Sequence, residues 1–356
     1  MALAKLRVQH LRIIAAADLS PSPRLNLVYG ENATGKTSLL EAVDVLSRGR
    51  SFRTHLLADL LSHGQPQLIV TATLAGEARR TIGIERSKAG TRMRVQGQAA
   101  ASIAELATEL PVQVLHPESH QLVGGAPALR RAYMDWGVFH SRSRYVDVWR
   151  RYSRALKQRN AMLKMASPGD SSAWDGELAQ TAAELDQQRR AYIERLQGLI
   201  KAYGERLLAT ADIDVGYRRG WPEEFPLAQA LAESAAQDRE RGYTRHGPHR
   251  AELNIRLCGH AALHTASRGQ QKLLAATLRL AQARLFSEEA KRVCTFLVDD
   301  LPSELDHGHR VALLSALADL DAQVFISAID PDELETRFWS DRKMFHVKQG
   351  EVVEVV

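Results

Sequence analysis

The spacing of apolar residues changes character twice along this chain, and each change marks a different kind of element. Near the N-terminus, Val8 to Ile14 and Leu25 to Tyr29 predict short strands, and the second leads at once into helical spacing over residues 37 to 47. Leu68 to Leu74, Thr81 to Arg86 and Arg92 to Gln96 alternate apolar with polar residues. Gly76-Glu77 and Lys88-Ala89-Gly90 divide them, which predicts an antiparallel meander. Val112 to Leu115 predicts a buried strand.

From Tyr145 the period becomes helical. Tyr145, Trp149, Tyr152, Leu156 and Leu163 form one apolar stripe, and Trp174, Leu178, Leu185, Tyr192, Leu196, Leu199, Tyr203 and Leu207 form another. Ser167-Pro-Gly-Asp-Ser-Ser172 separates the two, so an antiparallel helical hairpin is expected. Arms of about thirty residues would be about 45 Å long. The Gln, Arg and Glu residues between the apolar positions read as a solvated face. Residues 218 to 248, rich in Gly, Pro and charge, predict loops with one helix over Leu227 to Ala236. Strand character returns at Leu253 to Leu257, Val293 to Val298 and Gln323 to Ser327. The expected organisation is an α/β head, residues 1–144 and 245–356, interrupted by a helical arm, residues 145–244.

Composition narrows the class. The 356 residues are 45% hydrophobic and 25% charged, as in soluble globular proteins, and allow a head with an insertion. No apolar run approaches the roughly 20 residues of a membrane span. Met1 to Val8 lacks a signal-peptide core, so a cytoplasmic protein is expected. Cys258 and Cys294 sit in apolar stretches and read as buried free thiols, with neither a disulfide framework nor a zinc site. The formal net charge of +5 is compatible with a nucleic-acid partner.

The chemistry begins where the strand Leu25 to Tyr29 meets Gly30-Glu31-Asn32-Ala33-Thr34-Gly35-Lys36-Thr37-Ser38. This phosphate-loop pattern stands in the strand–loop–helix context that its mechanism needs. The glycines let backbone N–H groups face phosphate oxygens, and the helix start adds its dipole. The Lys36 ammonium reaches the β- and γ-phosphates, and the Thr37 hydroxyl ligates Mg²⁺. Asp299-Asp300 ends the strand Val293 to Val298, where a magnesium shell needs a carboxylate; Asp299 is the candidate ligand and Asp300 the group that orients water. Ser267-Arg268-Gly269-Gln270 opens a long helix. Ser267 suits an N-cap, and the same Ser-x-Gly can bind phosphate.

The order of phosphate loop, Ser267-Arg-Gly-Gln270, Asp299-Asp300 and Ser303-Glu-Leu-Asp306 resembles the ATP-binding-cassette heads of SMC-like DNA-maintenance ATPases. Gly49-Arg-Ser-Phe-Arg53, Gly125 to Asp135, Lys157-Gln-Arg-Asn160 and Gly247-Pro-His-Arg250 narrow the resemblance to the RecF family of bacterial recombination mediators. It runs from near residue 5 to about 345. It implies that Ser267 to Gln270 of one head close over the ATP held by another, giving an ATP-dependent homodimer with two composite sites. Ser303 to Asp306 match the dimer-contact loop. Such proteins act in the DNA-damage (SOS) response, bind gapped or double-stranded DNA, and help RecO and RecR load RecA. A weak, DNA-stimulated ATPase acting with Mg²⁺ is implied.

Two departures from cassette heads stand out. Asp300 replaces the usual glutamate, which predicts slow hydrolysis. Ala328-Ile329-Asp330 stands where transporter heads carry a switch histidine, and this together with the hairpin weighs against a transporter subunit. A small-molecule kinase has no use for the Ser-x-Gly signature. The Q-loop position is either Gln113 or within His116-Pro-Glu118. Arg130, Arg131, Arg142, Arg144, Arg150, Arg151 and Arg154 are candidate DNA contacts or a solvated face, and His249-Arg250 either meets nucleotide or braces its loop.

Overall fold

The computed structural model describes residues 2–76, 79–165, 171–300 and 305–355. Its strands are β1 (Ala2–Leu11), β2 (Ile14–Leu19), β3 (Leu25–Tyr29), β4 (Gln67–Ala75), β5 (Arg80–Ser87), β6 (Gly90–Val95), β7 (Gln98–Ala99) and β8 (Val112–Leu115). There follow β9 (Ile213–Arg218), β10 (Glu252–Leu257), β11 (His260–Ala261), β12 (Cys294–Val298), β13 (Ala322–Ala328), β14 (Arg342–Lys348) and β15 (Glu351–Val355). The chain divides into two compact units, Met1–Ser119 with Ala275–Val356, and His120–Leu274.

The first unit holds two sheets. One, in the order β2-β1-β4-β5-β6-β7, is antiparallel and contains the predicted meander. The other, in the order β15-β14-β3-β13-β12-β8, is parallel except for the edge pair β14–β15. Every residue of β8, β12 and β13 is buried, as befits parallel strands covered on both faces. The helix Lys36–Arg48 shares one core with both sheets: Leu39, Leu40, Val43 and Leu46 join Leu6, Val8, Val70 and Ile84 of the antiparallel sheet and Val28, Leu297, Phe325 and Val347 of the parallel one. Eleven of its thirteen residues are buried, so its polar residues must find partners inside the protein.

The strand expected over Val8 to Ile14 is in fact a hairpin. β1 starts at Ala2, and the chain reverses at Arg12, whose φ of 54° is left-handed, to enter β2 at Ile14. Leu11, Ile13 and Ile14 include no Gly, Asn or Pro, so apolar spacing alone does not reveal the turn.

The second unit contains helices Pro127–Ser141, Tyr145–Leu163, Asp175–Leu208 and Leu227–Arg241, with the antiparallel sheet β11-β10-β9. The hairpin arms are unequal, 19 and 34 residues, and residues 166–170 of the expected turn lie outside the described residues. The solvated-face reading fails at Arg159 and Arg189, both fully buried. Arg159 donates to Asp175 and Asp238, while Arg189 and the Tyr145 hydroxyl both donate to Asp135. The end of the first long helix, at Arg159, thus meets the start of the second, at Asp175, while its start, at Tyr145, shares Asp135 with Arg189 farther along the second, so the two run antiparallel.

The expected arm limits, 144/145 and 244/245, fall inside this second unit. Its flanks are bound to the arm. Arg189 reaches back to Asp135, a Cβ on Gly137 would strike the Tyr192 ring at 2.0 Å, and β10 pairs with β9. Cys294 is buried as expected, whereas Cys258 is exposed: it occupies the turn after β10 with a left-handed φ of 49°.

Candidate functional site

The loop from Gly30 to Gly35 takes its shape from backbone that ordinary residues cannot adopt. Gly30 has φ +148°, and a Cβ there would lie 2.3 Å from the Val347 carbonyl oxygen. Gly35, at φ +115°, begins the helix Lys36–Arg48, and Ala33 is also left-handed at 62°. Thr34 closes the loop from within: its hydroxyl donates to the Glu31 carbonyl at 2.8 Å, and its own carbonyl accepts the Gly350 N–H at 2.9 Å. Glu31, Asn32 and Ala33 face solvent while Thr34, Gly35 and Lys36 are buried.

Lys36 donates from Nζ to the carbonyls of Gly30 and Glu31, each at 2.7 Å, which folds its ammonium back over the loop. Desolvation lowers its pKa, and the nearby Asp300 and Asp299 counteract this. The Thr37 hydroxyl donates to Asp299 at 2.9 Å, so the loop and the end of β12 meet. Ser327 completes the junction from β13. Its hydroxyl donates to Asp299 at 2.7 Å and accepts the Asp300 N–H at 2.8 Å. Burial raises the Asp299 pKa above the ordinary carboxylate range, opposed by hydrogen bonds from Ser327 and Thr37. Asp300 is half-buried and held in left-handed backbone at φ 54°.

These groups line one cleft of about 620 Å³. Thr37 Oγ1 and the Asp299 carboxylate offer two oxygen ligands, the share a magnesium ion takes from protein where phosphates and water complete its shell. The glycine cradle, the helix start and Lys36 fit a polyphosphate. Arg12, Phe52, Arg53 and Ser327 also line the cleft and were not among the site residues expected from sequence. Ser327 had one legible signal, a hydroxyl in a largely apolar, fully buried strand.

Gln113 is not a cleft residue. It is buried on β8, where its amide donates to Gln282 at 2.8 Å and accepts from Arg279 at 2.9 Å. His116, Pro117 and Glu118 line the cleft instead. Ser267, Arg268, Gly269 and Gln270 belong to the second unit and are all exposed. They form a capping box: Ser267 Oγ accepts the Gln270 N–H at 3.3 Å, and Gln270 Oε1 accepts the Ser267 N–H at 2.9 Å. Ser303 and Glu304 lie outside the described residues, while Asp306 caps the helix His307–Ala318.

His249 braces its loop, bonded to the Tyr152 hydroxyl and the Thr244 carbonyl. Arg130 is buried against Glu252 and the carbonyls of Val123 and Gly125, and Arg131 bonds the Ala251 carbonyl. Arg151 pairs with Glu177, whereas Arg142, Arg144, Arg150 and Arg154 are exposed. Among the described residues no helix is long and apolar enough to cross a membrane, and no cluster of three or more His, Cys, Asp or Glu residues forms a metal centre.

A phosphate loop after β3 and an acidic pair after β12, in a parallel sheet whose helix also packs on an antiparallel one, define an ATP-binding-cassette head of the SMC-like class. The sequence matches the RecF/RecN/SMC N-terminal domain over residues 2–352. It is 42% identical over 359 residues to the DNA replication and repair protein RecF of Pseudomonas aeruginosa strain UCBPP-PA14, covering 99% of this chain and 97% of that protein. The protein of the same name from Stutzerimonas stutzeri strain A1501 is 41% identical, with 100% and 98% covered. The chain belongs to the RecF family. The fold of a recombination mediator protein RecF bound to ATP, of the RecFOR pathway, is shared with a TM-score of 0.89 at 24% identity over 100% of this chain and 98% of that one. An Smc head bound to the C-winged helix domain of ScpA is a more distant match, with a TM-score of 0.57 at 14% identity over 100% and 98% of the two chains.

Proposed function

We propose that this protein is an ATP-driven dimerisation switch of recombinational repair that binds DNA at gaps between single and double strands and assists RecO and RecR in loading RecA. The observation that carries the proposal is the solvent-facing Ser267-to-Gln270 turn at the start of a 23-residue helix. Its exposed hydroxyl and helix N-terminus would suit the γ-phosphate held by a second head. Relatives 41–42% identical over nearly the whole chain carry the name DNA replication and repair protein RecF, and a structure of the same fold was solved with ATP.

In this reading Gly30 to Ser38 hold the phosphates, with Lys36 against the β- and γ-oxygens. Thr37 and Asp299 would hold Mg²⁺, which supplies charge neutralisation at those oxygens. Asp300 orients the attacking water. Its carboxylate is one methylene shorter than that of glutamate, which makes hydrolysis slow and suits a release step. The protein acts in the cytoplasm, where its DNA and partners are.

Ser267→Arg tests the proposal. As an N-cap alone, Ser267 is worth about 1 kcal/mol of stability. As a trans contact, its replacement by a bulky cation leaves ATP binding to each monomer intact and abolishes ATP-induced dimers and ATPase activity. Sedimentation with and without ATP, alongside an ATPase assay, distinguishes the two. A Ser267→Arg protein that still dimerises with ATP removes the ground for a composite site.

A further inference from the structure

Glu41 is a carboxylate in an unusual place. It lies one helical turn beyond the phosphate loop, on a helix packed between two sheets, and is fully buried. Arg12 grips it with a two-pronged contact, Nη2 to Oε1 at 2.7 Å and Nε to Oε2 at 2.5 Å. The Ser51 hydroxyl donates to Oε1 at 2.5 Å, and the same hydroxyl accepts the Arg53 N–H at 2.9 Å. One side chain thus holds two separate segments: the tip of the β1–β2 hairpin, and the loop that carries Phe52 and Arg53.

Both segments end at the nucleotide cleft. Arg12, Ile13, Phe52 and Arg53 all line it. Neither segment is set by regular structure alone. Arg12 adopts left-handed backbone, and residues 49 to 56 form neither helix nor strand. A third element closes on the hairpin tip: a Cβ on Gly350 would come within 2.3 Å of the Ile13 carbonyl oxygen.

A carboxylate buried this deeply, even when paired with a half-buried arginine, is weak evidence of a stabilising role, because apolar residues of similar volume serve a core as well or better. What it supplies is position. From this geometry we infer that Glu41 is a positioning residue for nucleotide binding, fixing Arg12 and the Ser51–Arg53 segment as two walls of the cleft. The inference rests on the cleft being the ATP site.

The test compares ATP affinity, measured by titration, with thermal unfolding of the nucleotide-free protein. Glu41→Gln is expected to weaken ATP binding about tenfold and Arg12→Ala by no more than that, with the double variant about as weak as Glu41→Gln, because Arg12 is held in place through Glu41. Asp44→Asn is the control. It alters a second fully buried carboxylate of the same helix, paired with Arg48 and outside the cleft lining, and is expected to change stability without changing affinity. Ser51→Ala removes one hydroxyl and provides a second reading if Glu41→Gln fails to fold, with a loss of several-fold expected at near-normal stability. Wild-type affinity in Glu41→Gln, or in Ser51→Ala should Glu41→Gln not fold, overturns the inference. So does a double variant whose losses multiply. Lys36→Met separates this failure from a wider one: if it too binds ATP normally, the nucleotide site itself has been misplaced.

Discussion

His249 uses both ring nitrogens, and that decides its tautomer. Thr244 offers a carbonyl oxygen at 3.0 Å, so Nε2 carries the proton and Nδ1 accepts from the Tyr152 hydroxyl at 2.5 Å. Burial pushes the imidazole pKa down to about 4. Between about pH 6.5 and 4 the unfolded chain therefore binds a proton that the folded protein refuses. Stability is fully present above that window and declines as the pH falls through it, by about 3 kcal/mol for a shift of this size. His246, two positions before Pro248, is shifted in the same direction by desolvation, so it adds to the slope. His249→Gln is expected to flatten the acid limb of a melting-temperature profile without erasing it. Equal acid limbs in variant and wild type would show that another group drives the loss.

At the scale of elements, a single buried arginine joins three helices of the second unit. Arg159, on Tyr145–Leu163, donates to Asp175 at 2.7 Å, to Asp238 at 2.8 Å and to Thr244 at 2.9 Å. Asp175 opens the second long helix, and Asp238 is fully buried on Leu227–Arg241. Arg159→Leu strands the Asp238 charge in the interior and is expected to cost about 3–5 kcal/mol in urea unfolding. Adding Asp238→Leu should recover much of that loss, since the second change removes the unpaired charge. A double variant as unstable as the sum of the singles would mean that the two charges are not coupled and that the loss has another source.

For the whole molecule, the proposed DNA binding would draw on the exposed arginines and the net charge of +5 through contacts to the backbone phosphates. If the proposed complex neutralises about five phosphates of duplex, affinity should fall with salt at a log–log slope near −4 to −5. The exposed Arg144 and Arg154 are expected to contribute to that slope, whereas replacing the buried Arg130 should lower stability first. Filter binding across a salt series, with and without ATP, checks this. A flat response, or affinity indifferent to ATP, argues against a clamp closed by nucleotide.

Local chemistry made much of this molecule readable from its residues. A glycine-bounded loop between strand and helix, an acidic pair at a strand end and a Ser-x-Gly helix start are patterns of neighbouring residues, so their order along the chain was enough to single them out as candidates. Four of the five parallel strands, β3, β8, β12 and β13, were also legible because burial on both faces keeps them largely apolar, whereas β14, with Arg342, Lys343, His346 and Lys348, was not. Tertiary structure decided what depends on partners distant in sequence. The turn at Arg12 carries no turn residue; the Arg12 N–H donates to the Leu60 carbonyl, its side chain is gripped by Glu41, and Gly350 packs on the neighbouring Ile13. Arg159 and Arg189 look like surface charges on helical stripes, yet are buried because Asp238 and Asp135 meet them from other segments. Ser327 and Gln113 are polar residues in buried strands. Only the packing shows that one faces Asp299 in the cleft while the other faces Gln282 in the core.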